Sequence, residues 1–140
     1  MIDIENVVFN KVATALRNEY SDISVYGEYV SSPTSFPCVT LVEDDNYIYR
    51  RTQDTNVENH VNVMYTLTVY SNLESGKKQE AKAIMAKADE LMLGMNFTRT
   101  MRNQIPNEDR TIYRIVARYE AVVEKAATIG DDDVYHIYRE

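Results

Sequence analysis

The sequence predicts an α+β fold, in which two helices pack on one face of a mainly antiparallel sheet and an extended C-terminal arm follows. Two segments place apolar residues at helical spacing, and several others alternate apolar and polar residues with the period of a β-strand. Their order is one helix, two to three strands, a second helix and two more strands. Since 44% of the 140 residues are hydrophobic, the chain can bury one core. We assign that core to a single domain at 1–125 and the arm to 126–140.

The N-terminal elements are a helix and a short strand. Asp3 can cap the helix, and apolar residues recur at helical spacing until about Glu19. A loose alternation predicts a short strand around 24–28. The next segment, 31–37, contains two of the three prolines and is typical of an extended connector.

Two strands in the middle of the chain predict a hairpin. A β-branched run begins at Cys38 and can continue towards Tyr49. From 61 to 69 the odd positions are apolar and the even positions are mostly polar, which indicates one face on a core and one wetter face. Between these strands lies 50–59, with a single apolar residue, which we interpret as a long hairpin tip in solvent.

The second helix is predicted to begin at Glu74 or Ser75 and to end at Gly94, because one stripe of apolar residues runs between them. Strands at 96–104 and 111–123 follow, joined by a polar turn. The arm after them contains an acidic triplet and several tyrosines. We expect the arm to pack only on a partner.

Charge and composition exclude several classes of function. The formal charge is −7, which argues against general nucleic-acid binding because neutralising phosphates needs a cationic face. No apolar run approaches the roughly 18 residues of a membrane span. The first residues are acidic where a secretory signal is basic, so we expect no export by that route. A single cysteine excludes an internal disulfide and fits a reducing compartment.

No catalytic motif, metal site or cofactor site stands out, so we expect no enzyme and no cofactor. The two histidines, His60 and His136, lack further ligands at metal spacing. Cys38 is expected to be a buried thiol, and its pairing with His60 as nucleophile and base is a remote alternative. The acidic triplets at 43–45 and 131–133 lack the alternating pattern of a calcium loop and indicate solvated charge.

Arginines and tyrosines instead indicate protein contacts. Five arginines fall between 99 and 118, and two of them share a strand face, which predicts either pairing within the chain or docking to an acidic partner. The chain has 11 tyrosines and no tryptophan, and tyrosine is enriched where proteins meet. The candidate interface residues are Tyr47, Tyr49, Arg50, Arg51, Arg114, Arg118, Tyr135 and Tyr138.

A resemblance to a known family covers about 61–123, and the first helix and the Cys38 strand agree with it in order. The shared motifs are, in chain order, Tyr70-Ser71-Asn72 at a strand end, Gly76-Lys77-Lys78 at a helix start, the step from Gly94 to Phe97, the polar turn at 107–110 and Tyr113-Arg114. In these motifs the chain resembles the tail terminator, or tail completion, proteins of long-tailed bacteriophages. The resemblance is to the small minor structural proteins of phages that infect Gram-positive hosts in particular.

The resemblance implies a structural virion protein without catalytic activity. Such proteins form a hexameric ring that caps the tail tube, ends its polymerisation and joins the tail to the DNA-filled head. The implied partners are further copies of the chain, the tail tube protein and a head-side connector or neck protein, while DNA passes the lumen without specific binding. The implied location is the head–tail neck of the virion, assembled in the cytoplasm of the bacterial host, with no membrane contact.

Two expectations about surface segments follow from this interpretation. The 50–59 tip, with Arg50 and Arg51, is expected to contact the tube or the lumen. The 126–140 arm is expected to clasp a neighbouring subunit or the connector.

Three other functions remain open. A head-closure or adaptor ring of the same neck is the nearest, because such proteins also form rings. A small cysteine-dependent enzyme built on Cys38 and His60 belongs to a different class. A cytoplasmic ligand-binding domain is the third, although no pocket signature supports it.

Overall fold

The computed structural model of the protein describes residues 2–30, 32–48, 60–129 and 132–138. Within them the chain forms two helices and a six-stranded sheet that is antiparallel except for one strand pair, so the predicted α+β fold is confirmed. In chain order the elements are α1 (Glu5–Glu19), β1 (Ser24–Tyr26), β2 (Cys38–Ile48), β3 (His60–Ser71), α2 (Lys77–Gly94), β4 (Thr98–Gln104), β5 (Tyr113–Ile129) and β6 (Asp132–Tyr138).

The long strand β5 joins three other strands. The main path of the sheet is β1-β2-β3-β5-β4, and β6 pairs with β5 off this path. Along one edge, β5 pairs with β3 from Tyr113↔Ser71 to Glu124↔His60. Along its other edge, β5 pairs first with β4 and then with β6. β4 and β6 therefore lie end to end beside the same strand.

The hydrophobic core lies between the two helices and one face of the sheet, which we call the helix face. The odd-numbered residues of β3 from Val61 to Val69 are buried there, opposite buried residues of β5, which confirms the alternation predicted at 61–69. Each fully buried aliphatic side chain contributes roughly 1.5–3 kcal/mol. In the centre of the core, the rings of Tyr65 and Phe97 meet edge to face with 5.4 Å between their centroids.

The proline-containing connector crosses the opposite face of the sheet, which we call the open face. β1 runs parallel to β2, so the chain between them must return to the end of the sheet from which β1 started. The Tyr70 hydroxyl, on the open face, donates a hydrogen bond to the carbonyl oxygen of Val30 at 3.3 Å, and Cys38 and Thr40 on the same face are buried. The sequence predicts the connector but not the parallel pairing that it makes.

The helix α2 ends at Gly94, as predicted, but its start differs from the prediction for a conformational reason. The helix begins at Lys77, because Gly76 immediately before it has a φ of 91°, a left-handed conformation that glycine adopts without a steric penalty. Gly94 is the last helical residue and does not terminate the helix by a left-handed turn. The left-handed residue is Asn96, with a φ of 71°, and asparagine tolerates this conformation better than most side chains.

The predicted arm is part of the sheet. β5 continues to Ile129, and β6 pairs with it from Ile129↔Asp132 to Val122↔Tyr138. Tyr135 and Ile137 pack against the core. The expectation that this segment packs only on a partner is therefore wrong, because alternate residues of β6 face the core of their own chain. The predicted tip at 50–59 lies outside the described residues.

Candidate interaction surfaces

A cluster of polar side chains around Glu124 holds the end of β6 on the open face. The Tyr138 hydroxyl donates a hydrogen bond to Glu124 Oε2 at 2.6 Å, and His60 Nε2 lies 3.6 Å from the same oxygen. The centroids of the His60 and His136 rings lie 6.4 and 6.2 Å from that of Tyr138. The hydrogen bond from Tyr138 lowers the pKa of Glu124, so the carboxylate is ionised at neutral pH. Both histidines of the chain therefore meet at one end of the sheet.

The candidate tyrosines fall on different surfaces. Tyr47 is 47% exposed and Tyr138 is 44% exposed, and both lie on the open face. Tyr135 lies on the helix face and is partly buried against the core, so its ring holds the arm in place. Three further candidates, Tyr49, Arg50 and Arg51, lie outside the described residues.

Arg114 and Arg118 lie four residues apart on β5, so both side chains are on the open face. Arg118 is exposed, whereas Arg114 is half-buried and donates a hydrogen bond to the carbonyl oxygen of Pro106 at 3.0 Å. Arg114 lies in a groove of about 770 Å³ between Tyr29 and Pro33 of the connector and the β4–β5 turn. In the part of the chain that the structure describes, neither arginine forms an ion pair, so the predicted pairing within the chain is not found there.

Cys38 and His60 lie too far apart to act as a nucleophile and its base. In the β2–β3 hairpin Cys38 pairs with Tyr70, ten residues along the strand from His60, which is about 33 Å at the usual rise of a strand. The Cys38 side chain is completely buried, and burial raises the pKa of its thiol to about 11. The remote alternative that placed His60 opposite Cys38 is therefore wrong, because an antiparallel hairpin sets the start of β2 against the end of β3.

An acidic cluster lies where α1 begins beside β2, and we call Asp3, Glu5 and Glu43 the acidic triad. Carboxylate oxygens of the three side chains lie within 4.8 Å of one another. Burial, together with the Glu5 and Asp3 charges, raises the pKa of Glu43. In the sequence Glu43 stands next to Asp44 and Asp45, but a bulge at Asp44 separates Glu43 from them, and the Thr66 hydroxyl donates a hydrogen bond to Asp44.

At the opposite edge of the sheet, Asp89 of α2 contacts the side chains of Tyr119 and Arg99, which lie on the helix face. The Tyr119 hydroxyl donates a hydrogen bond to Asp89 Oδ1 at 2.7 Å, and Arg99 Nη1 lies 2.8 Å from Asp89 Oδ2. Tyr119 is fully buried, whereas the Arg99 side chain is 40% exposed. The network ties edge strand β4 to α2 and fixes one guanidinium at the edge, a role that the spacing of the residues in sequence does not reveal.

The protein matches no protein-family model and no curated protein. Among solved structures it is similar to the sheath/tube terminator of an extracellular contractile injection system, PVC, determined by cryo-EM in the extended state. The TM-score is 0.46 and the sequence identity is 11%. The similarity covers 91% of this chain and 58% of the other, so the present chain spans less than two thirds of the length of that terminator.

The helices also bear on membrane association. Neither α1 nor α2 is long and apolar enough to cross a bilayer.

Proposed function

We propose that this protein is a structural subunit of a phage-type tail, which forms a ring that caps the tail tube, ends its polymerisation and joins the tail to the head. The sequence resemblance over about 61–123 supports the proposal, and one structural observation carries it. Beyond Glu124, its last pair with β3, strand β5 continues to Ile129 and forms a hairpin with β6. β2 ends and β3 begins at this same end of the sheet. We assign to this extended end of the sheet the axial contacts of a subunit stacked between a tube and a head.

The net charge of the chain and the position of the Cys38 thiol are consistent with a structural protein that acts through contacts with other proteins. Separation of Cys38 from His60 removes the enzymatic alternative that the sequence left open. A formal charge of −7 suits a ring that lets DNA pass without binding it, because like charges remove the gain from counterion release. The proposed partners are therefore further copies of the chain, the tail tube protein and a head-side connector.

Electron microscopy of particles from a phage genome lacking this gene tests the function. Overlong or unattached tails beside full heads are the expected result. Heads that lose their DNA beside tails of normal length would instead place the protein on the head side of the neck, as a closure or adaptor ring. Particles identical to wild type would contradict both functions.

The tip predicted from the sequence at 50–59 gives a second test of the same function. We expect a chain with a shortened tip to fold with an unchanged melting temperature and to lose attachment to tails. A matched variant, in which Gly and Ser replace the tip at constant length, separates the effect of side chains such as Arg50 from that of loop length. Tail attachment by the shortened variant would contradict the proposed contact.

A further inference from the structure

The edge of the sheet at β1 and β2 and the part of the opposite edge formed by β4 carry opposite charge. The strand order places the N-terminal segment, with β1 and β2, at one edge and β4, with the start of β5, at the other. Residues 2–48 contain eight acidic and two basic side chains, a formal charge of −6. Residues 98–118 contain five arginines and two acidic side chains, a formal charge of +3. On an acidic protein the β4 part of this edge is thus cationic, and we call it the cationic edge.

The anionic edge holds charge that no ion pair among the described residues neutralises. In the described residues, no member of the acidic triad takes part in an ion pair. The positive end of the α1 dipole offsets part of the charge but supplies no counterion. β1 pairs only with 38–40 of β2, and beyond Thr40 no other described strand covers this edge. The triad is therefore accessible to a cation from outside the chain.

The cationic edge presents guanidinium groups on the same face of the sheet. Arg99 and Arg102 pair with Tyr119 and Ala117 of β5, so both lie on the helix face of β4. Asp89 fixes the guanidinium of Arg99, whereas Arg102 is exposed and forms no ion pair within the described ranges. Arginine is well suited to such contacts because its planar group binds carboxylates through two hydrogen bonds.

The acidic triad and Arg99 lie at the same level along the strand direction of the sheet. Glu43 pairs with Tyr65, Tyr65 with Tyr119, and Tyr119 with Arg99, so these four residues form one row across β2, β3, β5 and β4. All four face the helices. When two copies lie side by side in the same orientation, the arginine edge of one is therefore level with the acidic triad of the next.

We infer that copies of this chain associate head to tail, with Arg99 and Arg102 of one copy against the acidic triad of its neighbour. Such a heterologous contact generates a closed ring or an open filament, depending on the rotation between copies. The inference names the lateral contact of the ring in the proposed function and rests on that function for its closure. Association through these edges is itself independent of the tail.

Charge reversal tests the contact on the full-length chain. Arg102→Glu and Glu5→Arg reverse one residue at each edge, and both positions are accessible to solvent. Sedimentation velocity at low ionic strength measures self-association, which we expect each substitution to weaken at least tenfold because like charges then meet. Matched controls at exposed sites are Lys78→Glu and Glu74→Arg, which change the net charge equally and should associate like wild type.

An equimolar mixture of the two reversed variants is the decisive sample. Every contact in an alternating assembly joins opposite charges, so we expect the mixture to associate like wild type although neither variant does so alone. Raising salt from about 0.01 M to 1 M, which shortens the Debye length from about 30 Å to 3 Å, should weaken wild-type association. Melting curves verify that each variant is folded.

Three results would overturn the inference: a wild-type chain that stays monomeric throughout, folded variants that associate like wild type, or a mixture that stays dissociated. The third result would show that the two edges do not contact each other. The proposed function fails separately. Normal particles without the gene would refute the function while edge-dependent association stands, and gene-dependent tails with unaffected charge variants would refute only the edge contact.

Discussion

Replacement of Asp89 should reveal how much the hydrogen bond of the buried Tyr119 hydroxyl contributes to the stability of the fold. The Asp89 carboxylate accepts the Tyr119 hydrogen bond at 2.7 Å and pairs with Arg99 at 2.8 Å. Asp89→Ala leaves the phenol of a fully buried tyrosine without an acceptor, which costs about 1–3 kcal/mol. Loss of the partly exposed Arg99 pair adds up to about 1 kcal/mol. We therefore expect Asp89→Ala to lower the free energy of unfolding by about 1–4 kcal/mol.

Two matched variants separate these contributions. Asp89→Asn keeps an oxygen that can accept from Tyr119 but removes the charge, so we expect a loss of about 1 kcal/mol. Tyr119→Phe removes the donor and should cost about 0.5–1.5 kcal/mol. The double variant Asp89→Ala/Tyr119→Phe should lose less free energy of unfolding than the two single variants lose together, because it leaves no buried hydroxyl unsatisfied. Asp22→Ala at an exposed turn is the control and should stay within about 0.5 kcal/mol of wild type.

Urea denaturation followed by circular dichroism at pH 7 measures these values, provided that the denaturant slope is unchanged. Equal losses for Asp89→Ala and Asp89→Asn would show that the charge matters and the buried hydroxyl does not. A loss below about 1 kcal/mol for Asp89→Ala would refute the whole argument.

Three further predictions follow from groups with shifted pKa values. Because burial raises the pKa of Cys38 to about 11, native protein should resist thiol reagents at pH 8 and react fully when denatured; rapid native labelling would contradict this. Because burial and the rest of the acidic triad raise the pKa of Glu43, its ionised form opposes folding, so Glu43→Gln should melt higher than wild type at pH 7 and equally at pH 3. Because the Tyr138 hydrogen bond lowers the pKa of Glu124, this contact is present at neutral pH and is lost as pH falls through the folded-state pKa. Acid should therefore loosen β6 more in wild type than in Tyr138→Phe, as measured by the pH dependence of hydrogen exchange relative to the core after correction for intrinsic exchange.

Local patterns predict the elements that have a single buried face. The alternation at 61–69 and the apolar stripe of α2 are strong because each element buries one side against the core. β5 is harder to delimit, since its last residues leave β3 and pair only with β6. The alternation of apolar and polar residues does not reveal where a strand changes its pairing partner. The sequence therefore predicts a strand ending at 123, whereas β5 ends at Ile129.

The candidate surfaces depend on pairing between distant parts of the chain, which periodicity does not reveal. The placement of Arg114 and Arg118 on one face follows from their even spacing on one strand and is predictable. The acidic triad requires α1 to begin beside β2, and the cluster around Glu124 requires β6 to fold back along β5, on the edge opposite β3. Register between strands far apart in sequence is set by tertiary packing, so these groups become visible only in the folded chain.

The order of strands in the sheet has a consequence for synthesis on the ribosome. β3 is complete once Ser71 has been made, but its central neighbour β5 begins only at Tyr113. At about 5–20 residues per second, the intervening chain takes roughly 2–8 s to emerge. During that interval one edge of an apolar strand has no partner and can recruit another nascent chain. Yield of folded protein should therefore depend on translation speed and chaperone supply, even when the finished domain is stable.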